Sequence, residues 1–304
     1  MLQYGVHVAK TSKVIADKKN RPFITAIQND TTELNISVVQ IHTHGPRGRT
    51  KNNMSYEKIK AYSKAHNLTV VSHSSYPSVS IWKVDKKNQH DDDSKKRIEH
   101  VCDQTKSCKK MDALGVVLHL SKRTPEQMAE TFEVAHKHFK SHIFLETPAT
   151  KPNPSMPNIT YETPEKLTNL NNALKKFDNW SICVDTAHIW SAGIDISDKK
   201  ILDAWLKKLP NNVGLFHING SNRSTFNKGR DVHIIPFSKE DDIWNKCITD
   251  YSNVTKNIKA IKESGFYSIL LYCKKYKVPI VFEINRGSPD EVTFLMQIMH
   301  ELKI

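Results

Sequence analysis

The chain has 304 residues, with 45 Lys and Arg against 32 Asp and Glu and a formal charge of +13. That length admits one large domain or two ordinary ones around a substantial core, and no apolar run approaches the roughly 20 residues of a membrane span. The positive field suits a polyanion such as nucleic acid, although a solvated Lys face gives the same total. The cysteines at 102, 108, 183, 247 and 273 form an odd set with no CxxC pair, which argues against a zinc ribbon or a disulfide framework. They fit reduced thiols in an intracellular compartment. Residues 1–20 carry no cleavable signal, so a soluble protein is expected.

In chain order, the first apolar run is GVHV at 5–8, and a less regular helical pattern covers 11–34. VVQIHTH (38–44) follows, then an amphipathic segment at 55–66 with Tyr56, Ile59 and Tyr62 on one face. VVSHS (70–74) precedes a second irregular helical stretch at 90–112, whose opening HDDDSKKR (90–97) reads as a solvated loop. LGVVLHLS (114–121) comes next. Thr124, Pro125 and Gln127 then have the arrangement of a helix cap. IFLETP (143–148) is followed by a similar start at Thr163, and ICVDTAH (182–188) by an amphipathic helix at 198–209. LFHING (215–220), a segment at 258–277 that Gly265 divides in two, VFEIN (281–285), and a cap at Ser288, Pro289 and Glu291 complete the chain.

Strand then helix, eight times, predicts a parallel sheet. Eight units in this length match a closed (β/α)₈ TIM barrel, with 1–304 as a single domain. No Gly-rich phosphate loop follows the first strand, which argues against a dinucleotide site. In such a barrel the C-terminal strand ends ring one face. His73, His119, Glu146, Asp185, His217 and Glu283 end apolar runs and are expected to converge there. A lone His at a strand end is ordinarily structural. Three carboxylates crowded on one rim, however, repel one another unless cations lie between them. Imidazole and carboxylate donors without thiolate fit Zn²⁺, and Mn²⁺ or Fe²⁺ fits the same set. His188 lies just past Asp185, and Asp231-Val-His233 has the i, i+2 spacing of an extended segment. Together these three suggest a third metal.

These residues resemble the endonuclease IV family, the type 2 apurinic/apyrimidinic (AP) endonucleases, essentially end to end. VDTAHIWSAGIDI (184–196), FLET (144–147), FHING (216–220), DVH (231–233), QIHTHGPRG (40–48) and HSSYPS (73–78) carry the likeness. Lys/Asn-rich composition and Gly-Pro-Arg at 45–47 resemble members from large DNA viruses. The resemblance implies three zinc ions. His73, His119 and Glu146 would hold the first; Glu146 would bridge to a second held by Asp185, His217 and Glu283; His188, Asp231 and His233 would hold the third. It implies catalytic roles for Glu146 and Glu283 and DNA contacts by Arg47 and Tyr76. The implied reaction is hydrolysis 5′ to abasic sites in double-stranded DNA, leaving 3′-hydroxyl and 5′-deoxyribose phosphate, with trimming of blocked 3′ ends. A monomer working in base excision repair, without membrane association, is expected. Gly220, Val232, Pro148 and the Ile-Asn after Glu283 depart from the family pattern without removing a donor.

Two other functions share some of these residues. A sugar isomerase or epimerase on the same barrel would use Glu146, Asp185, His217 and Glu283 around one divalent ion, but has no use for the other five donors. A barrel that binds DNA without cutting it would keep buried carboxylates idle at a cost.

Overall fold

The computed structural model describes residues 2–9, 22–151, 155, 159–284 and 288–304. Eight strands alternate with helices: β1 (Tyr4–His7), α1 (Phe23–Leu34), β2 (Val38–His42), α2 (Tyr56–Ala65), β3 (Thr69–His73), α3 (Asp92–Met111), β4 (Val116–His119), α4 (Pro125–Ala135) and β5 (Ile143–Glu146). The second half continues with α5 (Pro164–Leu174), β6 (Trp180–Asp185), α6 (Thr186–Ser191), α7 (Lys199–Lys207), β7 (Val213–His217), α8 (Val254–Lys262), α9 (Gly265–Tyr276), β8 (Ile280–Phe282) and α10 (Pro289–Leu302). The strands are parallel in sequence order, and β8 pairs with β1 to close the barrel. The expected TIM barrel is the observed fold. Among the described residues no helix is long and apolar enough to cross a membrane.

Two apolar layers hold the barrel. Residues on the outer faces of the strands, such as Val39, Ile41, Val70, Leu118, Leu145 and Val184, pack against the helices. The lumen contains a separate cluster of Val38, Val71, Val117, Phe144, Cys183, Leu215 and Val281, one from each of seven strands. The eighth strand, β1, offers Gly5 at its register partner Val38. A Cβ on Gly5 would lie 1.6 Å from the Val38 carbonyl oxygen, so only glycine lets the first two strands meet there.

The helix caps follow the sequence. Thr124 and Ser288 both form complete capping boxes, with Gln127 and Glu291 as the reciprocating side chains. The pair α8 and α9 breaks at Glu263 and Ser264, as Gly265 suggested. The stretch 90–97 is not a solvated loop, because α3 begins at Asp92. Asp91 accepts from the Ser94 amide at 2.5 Å. Asp92 and Asp93 lie in the first turn, where the amide dipoles favour negative charge. Of the helical pattern at 11–34, the described part is α1; residues 11–21 lie outside the described residues.

Candidate metal centre

The polar site follows from the pleat. Side chains two residues apart on a strand face the same way, so each member of the lumen layer has a partner one step nearer the C-terminal mouth. Counting two from Gly5, Val38, Val71, Val117, Phe144, Cys183, Leu215 and Val281 gives His7, Gln40, His73, His119, Glu146, Asp185, His217 and Glu283. One ring of apolar groups therefore supports one ring of polar groups. Six of those eight are residues singled out from the sequence. Cys183 lies below the ring, and burial pushes its thiol up to about 12, so it stays protonated and offers no thiolate.

The two oxygens of Glu146 serve different neighbours. Oε2 lies 2.7 Å from His119 Nε2 and 3.2 Å from His73 Nε2. Oε1 lies 2.8 Å from His217 Nδ1, which is in turn 3.3 Å from Glu283 Oε2 and 3.8 Å from Asp185 Oδ2. Ligand atoms of His73, Glu146, His217 and Glu283 all lie within 4.8 Å of one another. Farther along the mouth, Asp231 Oδ1 is 3.2 Å from His188 Nε2 and 3.0 Å from His233 Nε2, and the two imidazole nitrogens are 3.3 Å apart. Asp185 Oδ2 also approaches His233 Nε2, at 3.5 Å, so Asp185 lies between the two groups. The structure thus brings all nine predicted donors into one continuous cluster.

Backbone and amide partners settle which imidazole nitrogen faces inward. A carbonyl only accepts, so His73 Nδ1 donates to Ser74 O at 2.8 Å and His188 Nδ1 donates to Thr147 O at 2.7 Å. Both leave Nε2 for the centre. Gln40 plays this part for His217. Its Nε2 donates to Glu283 Oε1 at 2.6 Å, which leaves its Oε1 to accept from His217 Nε2 at 2.9 Å. Nδ1 of His217 therefore faces Glu146. Asn219 couples the strands next door: its Nδ2 donates to Asp185 Oδ2 at 2.7 Å and its Oδ1 accepts from the Glu283 amide at 2.9 Å. Such outer contacts orient metal ligands.

Electrostatics fit a centre that expects cations. Burial pushes the Glu146 carboxyl up, but His119 and His217 outweigh it and hold it well below the usual range. Glu283 is likewise held low by His217 and His73 against its burial. Burial lowers the His188 imidazole, yet Asp185 and Asp231 raise it well above its ordinary value. Carboxylates and protonated imidazoles thus neutralise one another where ions are absent. The donor chemistry, nitrogen and oxygen at mutual distances of about 3 Å, fits zinc, and displacement of the imidazole protons would free every donor.

Sequence reasoning passed over His7, Gln40 and Asn219. The first two were recoverable from the i, i+2 count off Gly5 and Val38. Asn219 was not, since it lies beyond the end of β7. The two residues expected to contact DNA lie at the mouth. Arg47 is exposed, and Tyr76 is 50% exposed with its ring 5.9 Å from that of His119. The Tyr76 amide donates to Pro46 O at 2.8 Å, which ties the two loops together. Beneath them, Gln104 Oε1 accepts from the Ser75 amide at 2.9 Å, and the Ser75 hydroxyl meets His100 Nε2 at 2.9 Å.

Residues 30–294 match the family described as xylose isomerase-like TIM barrel. A probable AP endonuclease of African swine fever virus (isolate Pig/Kenya/KEN-50/1950) is 30% identical over 281 residues, spanning 87% of this chain and 84% of the relative. The crystal structure of AsfvAP:AG superposes with a TM-score of 0.79 and 25% identity over 99% of this chain and 98% of that one. Endonuclease IV from Thermus thermophilus shares the fold, with a TM-score of 0.67, 19% identity and 99% of each chain covered. The chain belongs to the xylose isomerase-like TIM barrel family, in its type 2 AP endonuclease branch.

Proposed function

We propose that this nuclease hydrolyses the phosphodiester 5′ to abasic sites in double-stranded DNA, leaving 3′-hydroxyl and 5′-deoxyribose phosphate, and trims blocked 3′ ends at the same site. The observation that carries the proposal is the nine-donor cluster, in which Glu146 turns one oxygen to His73 and His119 and the other to His217. That division suits a carboxylate bridging two ions. The arrangement supports a first zinc at His73, His119 and Glu146, a second at Glu146, Asp185, His217 and Glu283, and a third at His188, Asp231 and His233. Mn²⁺ or Fe²⁺ is an alternative at some of these positions.

When bound, the ions neutralise the phosphate and bring water toward ionisation near neutral pH. The protein's own groups do the rest. Glu146 sets the spacing. Glu283, whose Oε1 accepts from Gln40 at 2.6 Å, would as a ligand of the second ion also help orient the attacking water. Tyr76 meets the duplex as a neutral phenol, because burial and then Asp231 raise its pKa. A ring at this position can stack in the gap left by a missing base while the sugar turns out of the helix. The adjacent Arg47 guanidinium can stack or pair with phosphate. Residues 1–304 act as one domain, as a monomer inside the cell.

The sugar isomerase reading leaves His73, His119, His188, Asp231 and His233 without a task. A duplex carrying one abasic site decides the matter. Zinc-loaded protein should nick it on the 5′ side, and EDTA should abolish the nick. Tight binding with no cleavage in zinc would point to an inert barrel.

A further inference from the structure

A buried carboxylate outside the donor cluster has no part in the chemistry above. Asp241 is fully buried, and burial raises its carboxyl to about 7 although four backbone amides donate to it. Oδ1 accepts from Ser221 at 3.3 Å and Ile243 at 2.9 Å; Oδ2 accepts from Phe237 at 2.8 Å and Trp244 at 3.2 Å. Three of these contacts are local, within four residues of Asp241. The fourth, to Ser221, reaches 20 residues back across the loop that leaves β7.

That loop carries Asp231 and His233. It is pinned back on the strand end by the antiparallel bridge Gly220–Ile234, with amide-to-carbonyl distances of 2.8 and 2.9 Å. Ile234 is the neighbour of His233. The Ser221 hydroxyl donates to Val232 O at 2.9 Å, between Asp231 and His233. Asp241 grips both ends of this arrangement, at Ser221 and at Phe237. Phe237 has a φ of +67°, a left-handed conformation that is costly for a bulky side chain and persists only where the surroundings enforce it. Its amide is one of the four that Asp241 holds.

Gly220 makes the grip feasible. A Cβ there would lie 2.6 Å from Asp241 Cγ and 2.6 Å from its Oδ1. The carboxylate occupies the space that a side chain at 220 would fill.

We propose that Asp241 is the positioning residue of the third metal group: its carboxylate, seated against Gly220, clasps the 220–244 loop so that Asp231 and His233 face His188. This inference rests on the three-zinc reading above. Loss of a group that orients a metal ligand directly costs about 10–100-fold in affinity; Asp241 acts through the loop backbone, so its effect should lie within that range and fall on one ion alone.

The test compares the zinc-loaded wild-type chain, Asp241→Asn and the swap Gly220→Asp/Asp241→Gly, by native mass spectrometry during titration with graded chelators. Wild type should hold three zinc ions. Asp241→Asn presents an amide NH₂ where backbone donors converge; it should lose one ion at about 10–100-fold weaker chelation while keeping two. Its kcat on an abasic duplex should fall with KM unchanged. The swap returns a carboxylate to the same pocket from residue 220 and should recover the third ion. Retention of three ions with wild-type affinity and kcat in Asp241→Asn overturns the proposal. So does parallel loss of all three ions, or unfolding of that variant without recovery in the swap, because Asp241 would then support the fold at large. A wild-type chain that never takes a third ion fails differently: it removes the three-zinc reading itself.

Discussion

Gln40 shows how much a single uncharged side chain can decide. It is fully buried and touches His7, His217 and Glu283 at once. Replacing it with Leu removes the acceptor that keeps His217 Nε2 protonated and the donor that occupies Glu283 Oε1. Gln40→Leu should weaken zinc binding about 10–100-fold while the barrel stays folded; chelator competition alongside thermal unfolding measures both. Unchanged zinc affinity would show that His217 needs no such partner. His188 is different, because it is itself a proposed ligand. Its substitution by Ala should lower occupancy of the third group and cut kcat far more than duplex affinity. A steady-state comparison on abasic DNA checks this, and an unchanged rate would remove that ion from the reaction.

At the scale of elements, the legible and the illegible divide along physical lines. Strand ends were legible because an apolar β-branched run that stops at His119 or Glu146 puts a costly polar group at the edge of a buried strand, and the eightfold repetition set the barrel. The capping boxes at Thr124 and Ser288 were legible because both halves of the motif are local in sequence. The start of α3 was misread, since Asp91, Asp92 and Asp93 look like a solvated run until their amide contacts are seen. Contacts that depend on closure of the barrel, such as Asn219 with Asp185 and Glu283, leave no local trace. The clasp at Asp241 belongs to the same class, joining residues 20 apart at Ser221. The loop bearing Tyr76 is likewise supported from a distant helix, α3, through Gln104 and His100. Tyr76→Ala should weaken discrimination between abasic and intact duplex. Gln104→Ala should do so to a smaller extent, and the double variant should be no worse than Tyr76→Ala alone, because both act through one ring. Additive losses in a binding assay would mean that the helix does not work through Tyr76.

For the whole molecule, charge and metal loading are linked to solution conditions. A formal charge of +13 should make log affinity for a DNA duplex fall linearly with log salt, by roughly 0.9 per phosphate neutralised. Metal loading should depend on pH in a defined direction. Burial lowers the His233 imidazole, but Asp185 and Asp231 raise it to about 9 from an ordinary 6.5. In the metal-free chain it therefore holds a proton at pH 7, and zinc must displace it. Zinc affinity at the group holding His233 should climb as pH rises from 7 toward 9. Calorimetry in two buffers of different ionisation enthalpy would show net proton release at pH 7; none would contradict the paired state of these imidazoles.

In the proposed centre, nine side chains from distant parts of the chain hold three ions in one mouth. Anomalous diffraction at the zinc edge on crystals of the loaded protein would locate those ions. Three peaks are expected, each about 2.0–2.2 Å from its imidazole and carboxylate donors, with Glu146 shared between two of them. A single peak among Glu146, Asp185, His217 and Glu283, with His188, Asp231 and His233 bare, would contradict it.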